Sequence, residues 1–305
     1  MLQVSDVVID PALSDLSIAY KNDSYLSEIL FPTVNVAKQS GKYYKFDKAN
    51  LRRNKSLRAP GGKANEVGFG LSTGSFITED HALKEKIPFE VIDQAENALN
   101  PEMDAAENVT EMLMVDKEAA IATMLTDTGT VTQNVTLSGT DQWSDFDNSD
   151  PFDDITTGIN TVQAAIGKRP NTIVMGQAVF NKLILHPDVL ERIKYTSGTS
   201  VTADMLARLF NVTRVLVGAA VYNSAVEGQT DALSYIWGKH VVIAYTAESP
   251  KLKQVALGFT MVYGKRVVKK WDEVDEDSRY VRVNENYAQE LVAAEAAYLI
   301  KNAVA

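Results

Sequence analysis

Residues 42–63 hold eight basic side chains, Lys42, Lys45, Lys48, Arg52, Arg53, Lys55, Arg58 and Lys63, against a single acid, Asp47. Strand-like runs flank them, GKYYKF at 41–46 and SFITEDHALKEKIPF at 75–89, so the pattern predicts a long β-hairpin. Its roughly twenty polar, glycine-rich central residues carry too little apolar surface to bury their own tip. Such an excursion is left solvated or is given another surface to lie on. The segment carries +7; since 30 bases and 40 acids leave the chain at −10, the remainder carries −17.

A net charge of −10 and a pI near 4.9 argue against a chain whose main work is gripping phosphate backbones. With no cysteine, disulfides, thiolate metal sites, iron–sulfur clusters and cysteine nucleophiles are excluded. The three histidines, His81, His186 and His240, are too scattered to suggest a metal site. An apolar content of 45% over 305 residues suffices for one large or two modest domains. No run approaches the roughly 18 apolar residues of a membrane span, and MLQVSDVVIDPALSD lacks a charged leader followed by an apolar core. A protein made and kept in a cytoplasm is the expectation.

The first forty residues alternate short apolar clusters with turn formers and read as an arm lying on something else. The clearest helix starts at Asn100-Pro101, an N-cap residue and a proline at the first helical position, followed by Glu102 and Asp104 at the positive end. Met103, Ala106, Val109, Leu113, Ala120 and Met124 carry it to about Leu125, a rod of roughly 36 Å. A Thr-rich strand over 129–137 and an acidic loop follow. An αβ region then places helices over 155–166, 178–185 and 203–209 and strands over 172–176 and 215–222. From Leu233 the chain is β-rich. Its end is divided against itself: YAQELVAAEAAYLIKNAVA favours helix by propensity, whereas the preceding YVRVNENY alternates like a strand.

Candidate chemistry fails at identifiable positions. Gly70-Leu71-Ser72-Thr73-Gly74 fits G-x-S-x-G, but a nucleophile elbow needs Ser72 on a strand-to-helix turn, and SFITEDH has no helical period. Gly62-Lys63 has Leu57 where a P-loop needs its first glycine and Ala64 where it needs Ser or Thr; Gly68-x-Gly70 has Thr73 at the third glycine position. Asp145, Asp147 and Ser149 open like a calcium loop, yet Asp150 replaces the turn glycine and Thr156 the bidentate glutamate, so a solvated acidic loop is the better reading. No catalytic residue, cofactor or metal is assigned. The acidic run Asp272, Glu273, Asp275, Glu276, Asp277 is either solvated or suited to a basic partner. For the basic hairpin three readings stand: nucleic-acid binding, a solvated loop, or docking on the acidic surface of another copy. Only Tyr43, Tyr44 and Phe46 could stack bases, and they form no platform. The −17 elsewhere gives self-association the stronger motive.

In the order of its parts the chain resembles the major capsid proteins of tailed bacteriophages, whose Hong Kong 97-type fold also builds encapsulin shells. The resemblance covers nearly the whole chain. It is most specific over 171–222, NTIVMGQAVFNKLILHPDVLERIKY and then TADMLARLFNVTRVLVGAAVYN, and continues through YIWGKHVVIAYT, a proline-containing turn, GFTMVYG and VRVNENYAQELVAAEAAYLIKNAV. It implies an α+β chain with an N-terminal arm (1–40), an extended loop (41–88), a peripheral domain with a long spine helix (89–150), an axial αβ domain (151–232), and strands completing both domains (233–305). It also implies strands at the C-terminus, because cross-strand packing outweighs a propensity bias of a few tenths of a kcal/mol per residue.

The function so implied is that of a structural virion protein, not an enzyme, self-assembling into pentamers and hexamers of an icosahedral shell around double-stranded DNA in a host bacterial cytoplasm. Its implied partners are copies of itself, a portal, a candidate decoration protein, and a separate scaffolding protein or none, since the hairpin begins near residue 41. DNA is enclosed without sequence-specific binding, and no membrane is involved. Arg52, Arg53, Lys55 and Arg58 are expected on acidic surface of adjacent subunits, with Asp272, Glu273, Asp275, Glu276 and Asp277 as candidate partners. Lys45, Lys48, Lys55 and Lys63 could supply an isopeptide crosslink of the kind some relatives make, but no partner site is recognisable. The alternatives are an encapsulin-type compartment, a tail component, and a serine hydrolase acting through Ser72.

Overall fold

The arm carries more regular structure than its clusters suggest. A computed structural model describes residues 8–19, 25–46, 52–54, 56–58, 60–68, 70–94, 100–193, 201–226, 228–247 and 255–305. It opens with β1 (Val8–Ile9), α1 (Pro11–Ala19), α2 (Ser27–Leu30) and β2 (Thr33–Val36). Asp10 caps α1 by accepting from the backbone N–H groups of Ala12 and Leu13, the same Asx-Pro start that marks the long helix. Leu30 and Phe31 are fully buried, so the arm is part of the core rather than laid over it.

Next come β3 (Ser40–Phe46), β4 (Leu71–Ile77), β5 (Glu79–Pro88), α3 (Phe89–Gln94) and the spine helix α4 (Pro101–Thr126). Asn100 caps α4 through its side chain to Met103 N–H at 3.3 Å, as its sequence predicts. The run read as one strand over 75–89 is two. Its break is at Thr78, whose N–H and hydroxyl both donate to the Gln39 carbonyl.

The chain continues through β6 (Asn134–Thr136), α5 (Pro151–Ile166), β7 (Thr172–Gly176), α6 (Gln177–Leu183), α7 (Pro187–Ile193), α8 (Ala203–Leu209), β8 (Arg214–Gly218), β9 (Val221–Asn223), β10 (Leu233–Tyr235) and β11 (Val241–Ala244). The Thr-rich strand expected over 129–137 shrinks to β6. The strand expected over 215–222 divides in two. β8 runs parallel to β7, whereas β9 leaves to pair with β10. At the division, a Cβ on Gly218 would stand 2.2 Å from the Trp237 ring, so only glycine lets that indole close over the sheet. Last are β12 (Gly258–Tyr263), β13 (Val267–Glu273), β14 (Ser278–Leu291) and β15 (Ala297–Lys301). The C-terminus is strand, against its propensity.

Two sheets result. One runs β6-β15-β11-β7-β8, the other β1-β13-β14-β12-β2 with β5 also on β14. The spine helix serves both. Ala105, Ala106, Val109 and Leu113 pack with Val268, Val281 and Val283 of the second sheet, and Ile121, Ala122 and Leu125 join the large cluster around the first. Each buried Leu, Ile or Val contributes about 1.5–3 kcal/mol by leaving water, so one rod ties two cores together.

Candidate subunit interface

A hairpin is present but shorter than the 41–88 expected: its second strand is β4, over Leu71–Ile77, whereas β5, over Glu79–Pro88, pairs with β14 in the larger sheet. β3 and β4 pair in antiparallel register from Ser40–Ile77 to Phe46–Leu71 and belong to no larger sheet. Only the base is anchored: Phe76 is buried, and Tyr43 packs on Ala247, Ala256, Phe259 and Val292. A Cβ on Gly74 would lie 2.4 Å from the Tyr43 ring, so that glycine lets the tyrosine cross the ladder. Farther out, residues 52–54, 56–58 and 60–68 are exposed. Arg52, Arg53 and Arg58 are exposed, as is Leu57, at 93%. None of the three arginines forms an ion pair with another described residue. Lys48 and Lys55 lie outside the described residues. Ser72 stands in this ladder opposite Lys45, not on a turn into a helix, which overturns the elbow reading.

The acidic run forms the connection between β13 and β14. Val274–Glu276 is a 3-10 turn, and Asp277 follows in the left-handed region at φ 43°. Its acids divide into two groups. Asp272 accepts from Arg279 at 2.6 and 2.9 Å, and that hydrogen-bonded guanidinium holds its carboxyl below the usual range. Glu276 accepts from the Tyr280 hydroxyl and pairs with Lys86 at 2.9 Å. Glu273 is half-buried. Asp275 and Asp277 are exposed and form no ion pair with a described residue. The turn and the hairpin tip stand at opposite ends of the run from Leu71 to Pro88, because Ser278 pairs with Pro88 while β4 leads into the start of β5.

In the other acidic loop the carboxylates close turns instead of converging. Asp145 accepts from the N–H groups of Asp147 and Asn148, Asp150 caps α5 through Phe152 and Asp153 N–H, and Asp154 accepts from Trp143 Nε1 at 2.8 Å. His186 is fully buried between α6 and α7, 3.1 Å from the Ser149 hydroxyl. Burial pushes its pKa down, so it is held neutral. Among the described residues no His, Asp and Glu cluster could hold a metal ion.

Sequence reading missed two buried polar centres where the spine passes from one core to the other. Glu118, fully buried, accepts from Leu26 N–H, Ser27 N–H and Trp237 Nε1 at 2.9, 2.7 and 2.6 Å. Beside it, Glu285 takes Lys117 at 2.6 Å and Arg266 at 2.9 Å, and Arg266 also donates to the Ser17 carbonyl. Burial opposes the charge on Glu285, but the two flanking cations prevail and set its pKa below the ordinary carboxylate value. Together these side chains pin the arm, the spine and both sheets. The only signal was a run of three charges, Asp116-Lys117-Glu118, between apolar stretches of the helix.

The subunit thus has a cemented centre and, among its described residues, an exposed hairpin tip. Its fold is the Hong Kong 97-type capsid fold. A family model described as Phage major capsid protein E matches residues 89–250. The chain is 30% identical over 302 residues to the major capsid protein of Burkholderia phage BcepMu, covering 96% of each. It is 31% identical over 306 residues to that of Pseudomonas phage JBD67, covering 97% of each. The crystal structure of a phage-related protein from Bordetella bronchiseptica RB50 superposes with a TM-score of 0.77 at 27% identity, over 97% of both chains. The chain belongs to the phage major capsid protein family. It is a structural protein of the virion shell rather than an enzyme, and these relatives do not favour the encapsulin reading. Among the described residues no helix is long and apolar enough to cross a membrane.

Proposed function

We propose that copies of this chain form pentamers and hexamers that close into an icosahedral shell around double-stranded DNA, the hairpin of each copy reaching the acidic turn of the next. In this reading residues 1–40 are the arm, 41–88 the extended loop, 89–150 the peripheral domain with the spine, 151–232 the axial domain, and 233–305 the strands that complete both. Assembly in a host cytoplasm, together with scaffolding, portal and decoration proteins, belongs to the same proposal. The observation that carries it is the pair of unmatched charged surfaces: Arg52, Arg53 and Arg58, with Lys55 in the same stretch, at one end, and Asp275 and Asp277 at the other. Asp272, Glu273 and Glu276 supply surrounding negative charge. An exposed pair contributes only about 0–1 kcal/mol, but repetition at every contact multiplies the effect.

Reversing Arg52, Arg53 and Arg58 to Glu together tests this. The expected result is a folded subunit, with unchanged circular dichroism, whose shell formation needs at least about tenfold more protein. Adding Asp275→Lys should recover part of the loss. Shells of normal yield from the triple variant would contradict the proposal.

A further inference from the structure

The seat for the hairpin can be named, on the reading just given. An open groove of about 700 Å³ runs between the end of β5, α3 and the first turns of α4. Its floor is apolar: Ile87, Pro88, Val91, Pro101 and Ala105. Val91 is 51% exposed, although its neighbour Ile92 packs inward. Glu85 and Asp104 line the sides, and the one cationic side chain among the lining residues, Lys86, is bound to Glu276 at 2.9 Å. The acidic turn abuts one end, where Phe89 N–H donates to the Asp277 carbonyl at 3.0 Å.

We propose that this groove receives the hairpin tip of a second copy, Leu57 lying on the apolar floor while Arg52, Arg53 and Arg58 face Glu85, Asp104, Asp275 and Asp277. Three observations fit one another. The tip is basic and the groove walls acidic, so the charges are complementary. Leu57, 93% exposed amid arginines, buries nothing in its own chain, and a floor around Val91 is what an aliphatic side chain needs. The groove lies at the end of β5, a ten-residue strand, roughly 20–30 Å from the hairpin base. Tip and groove are thus separate patches at opposite ends of one subunit. A contact between unlike patches is head-to-tail, and such contacts propagate until the rotation closes a ring, which is the geometry of a pentamer or hexamer.

The absence of native cysteine makes the test direct. Chains carrying only Leu57→Cys and chains carrying only Val91→Cys are co-assembled with an excess of unsubstituted chain, oxidised, and run on a denaturing gel without reductant. A mixed disulfide dimer is expected, because bridging needs Cα atoms within about 7 Å; a Leu57→Cys with Val226→Cys mixture should give none. Shells that contain both variants without the mixed dimer would overturn the seat, while the arginine reversals judge the hairpin reading separately. Leu57→Asp gives a second check, with about a tenfold higher protein requirement for shells expected and Leu57→Met close to the parent. Equal assembly of Leu57→Asp and the parent would overturn the proposal as well.

Discussion

At the scale of single residues, the subunit depends on two buried carboxylates. The Glu285 pKa is lowered in the folded chain by Lys117 and Arg266. Its contribution is therefore present above the ordinary carboxylate range and is lost as pH falls through and below that range. Glu285→Gln leaves two buried cations uncompensated and should cost about 3–5 kcal/mol at neutral pH by chemical denaturation. The gap to the parent should narrow on acidification; a gap unchanged at low pH would contradict the assignment. Glu118 poses a different problem, since burial pushes its pKa up while three donors converge on its two oxygens. Glu118→Gln keeps the shape but replaces one acceptor with a donor, facing either Trp237 Nε1 or the α2 backbone. The expected loss is about 1–3 kcal/mol, read as a lower denaturation midpoint with circular dichroism unchanged under native conditions.

At the scale of elements, legibility followed how local the cause was. Asn100-Pro101 announced α4, and the bond from Met103 N–H to the Asn100 side chain is the one its residue types predict. Asp10-Pro11 carried the same signal for α1, but nine residues were too few to show a period. The hairpin was legible in outline because alternation and a polar interior are properties of the segment itself, but its second strand, Leu71–Ile77, was not, since β5 is drawn off by the distant β14. Long-range causes were not. Thr78 breaks the strand through a carbonyl 39 positions earlier in the chain, and Gly218 ends β8 because of Trp237. The C-terminal strands were legible only through the family likeness: Ala288 and Leu291 belong to a helix-favouring string but pair with Met261 and Gly258. The acidic turn was visible as a run of charges, yet its division into bonded Asp272 and Glu276 and unpaired Asp275 and Asp277 depends on Arg279 and Lys86 from β14 and β5.

At the scale of the whole molecule, charge is unevenly divided along the chain. A +7 segment belongs to a chain that is otherwise −17, and the buried centre ties the arm, the spine and β14 together. The proposed assembly asks both of a subunit: stiffness within and complementarity at the ends. A three-dimensional reconstruction of shells assembled from this chain tests that account most directly. The hairpin tip of each copy should lie against the β13–β14 turn of an adjacent one, with Arg52, Arg53 and Arg58 near Asp275 and Asp277. Tips extended into solvent, or folded onto their own subunit in closed shells, would contradict it.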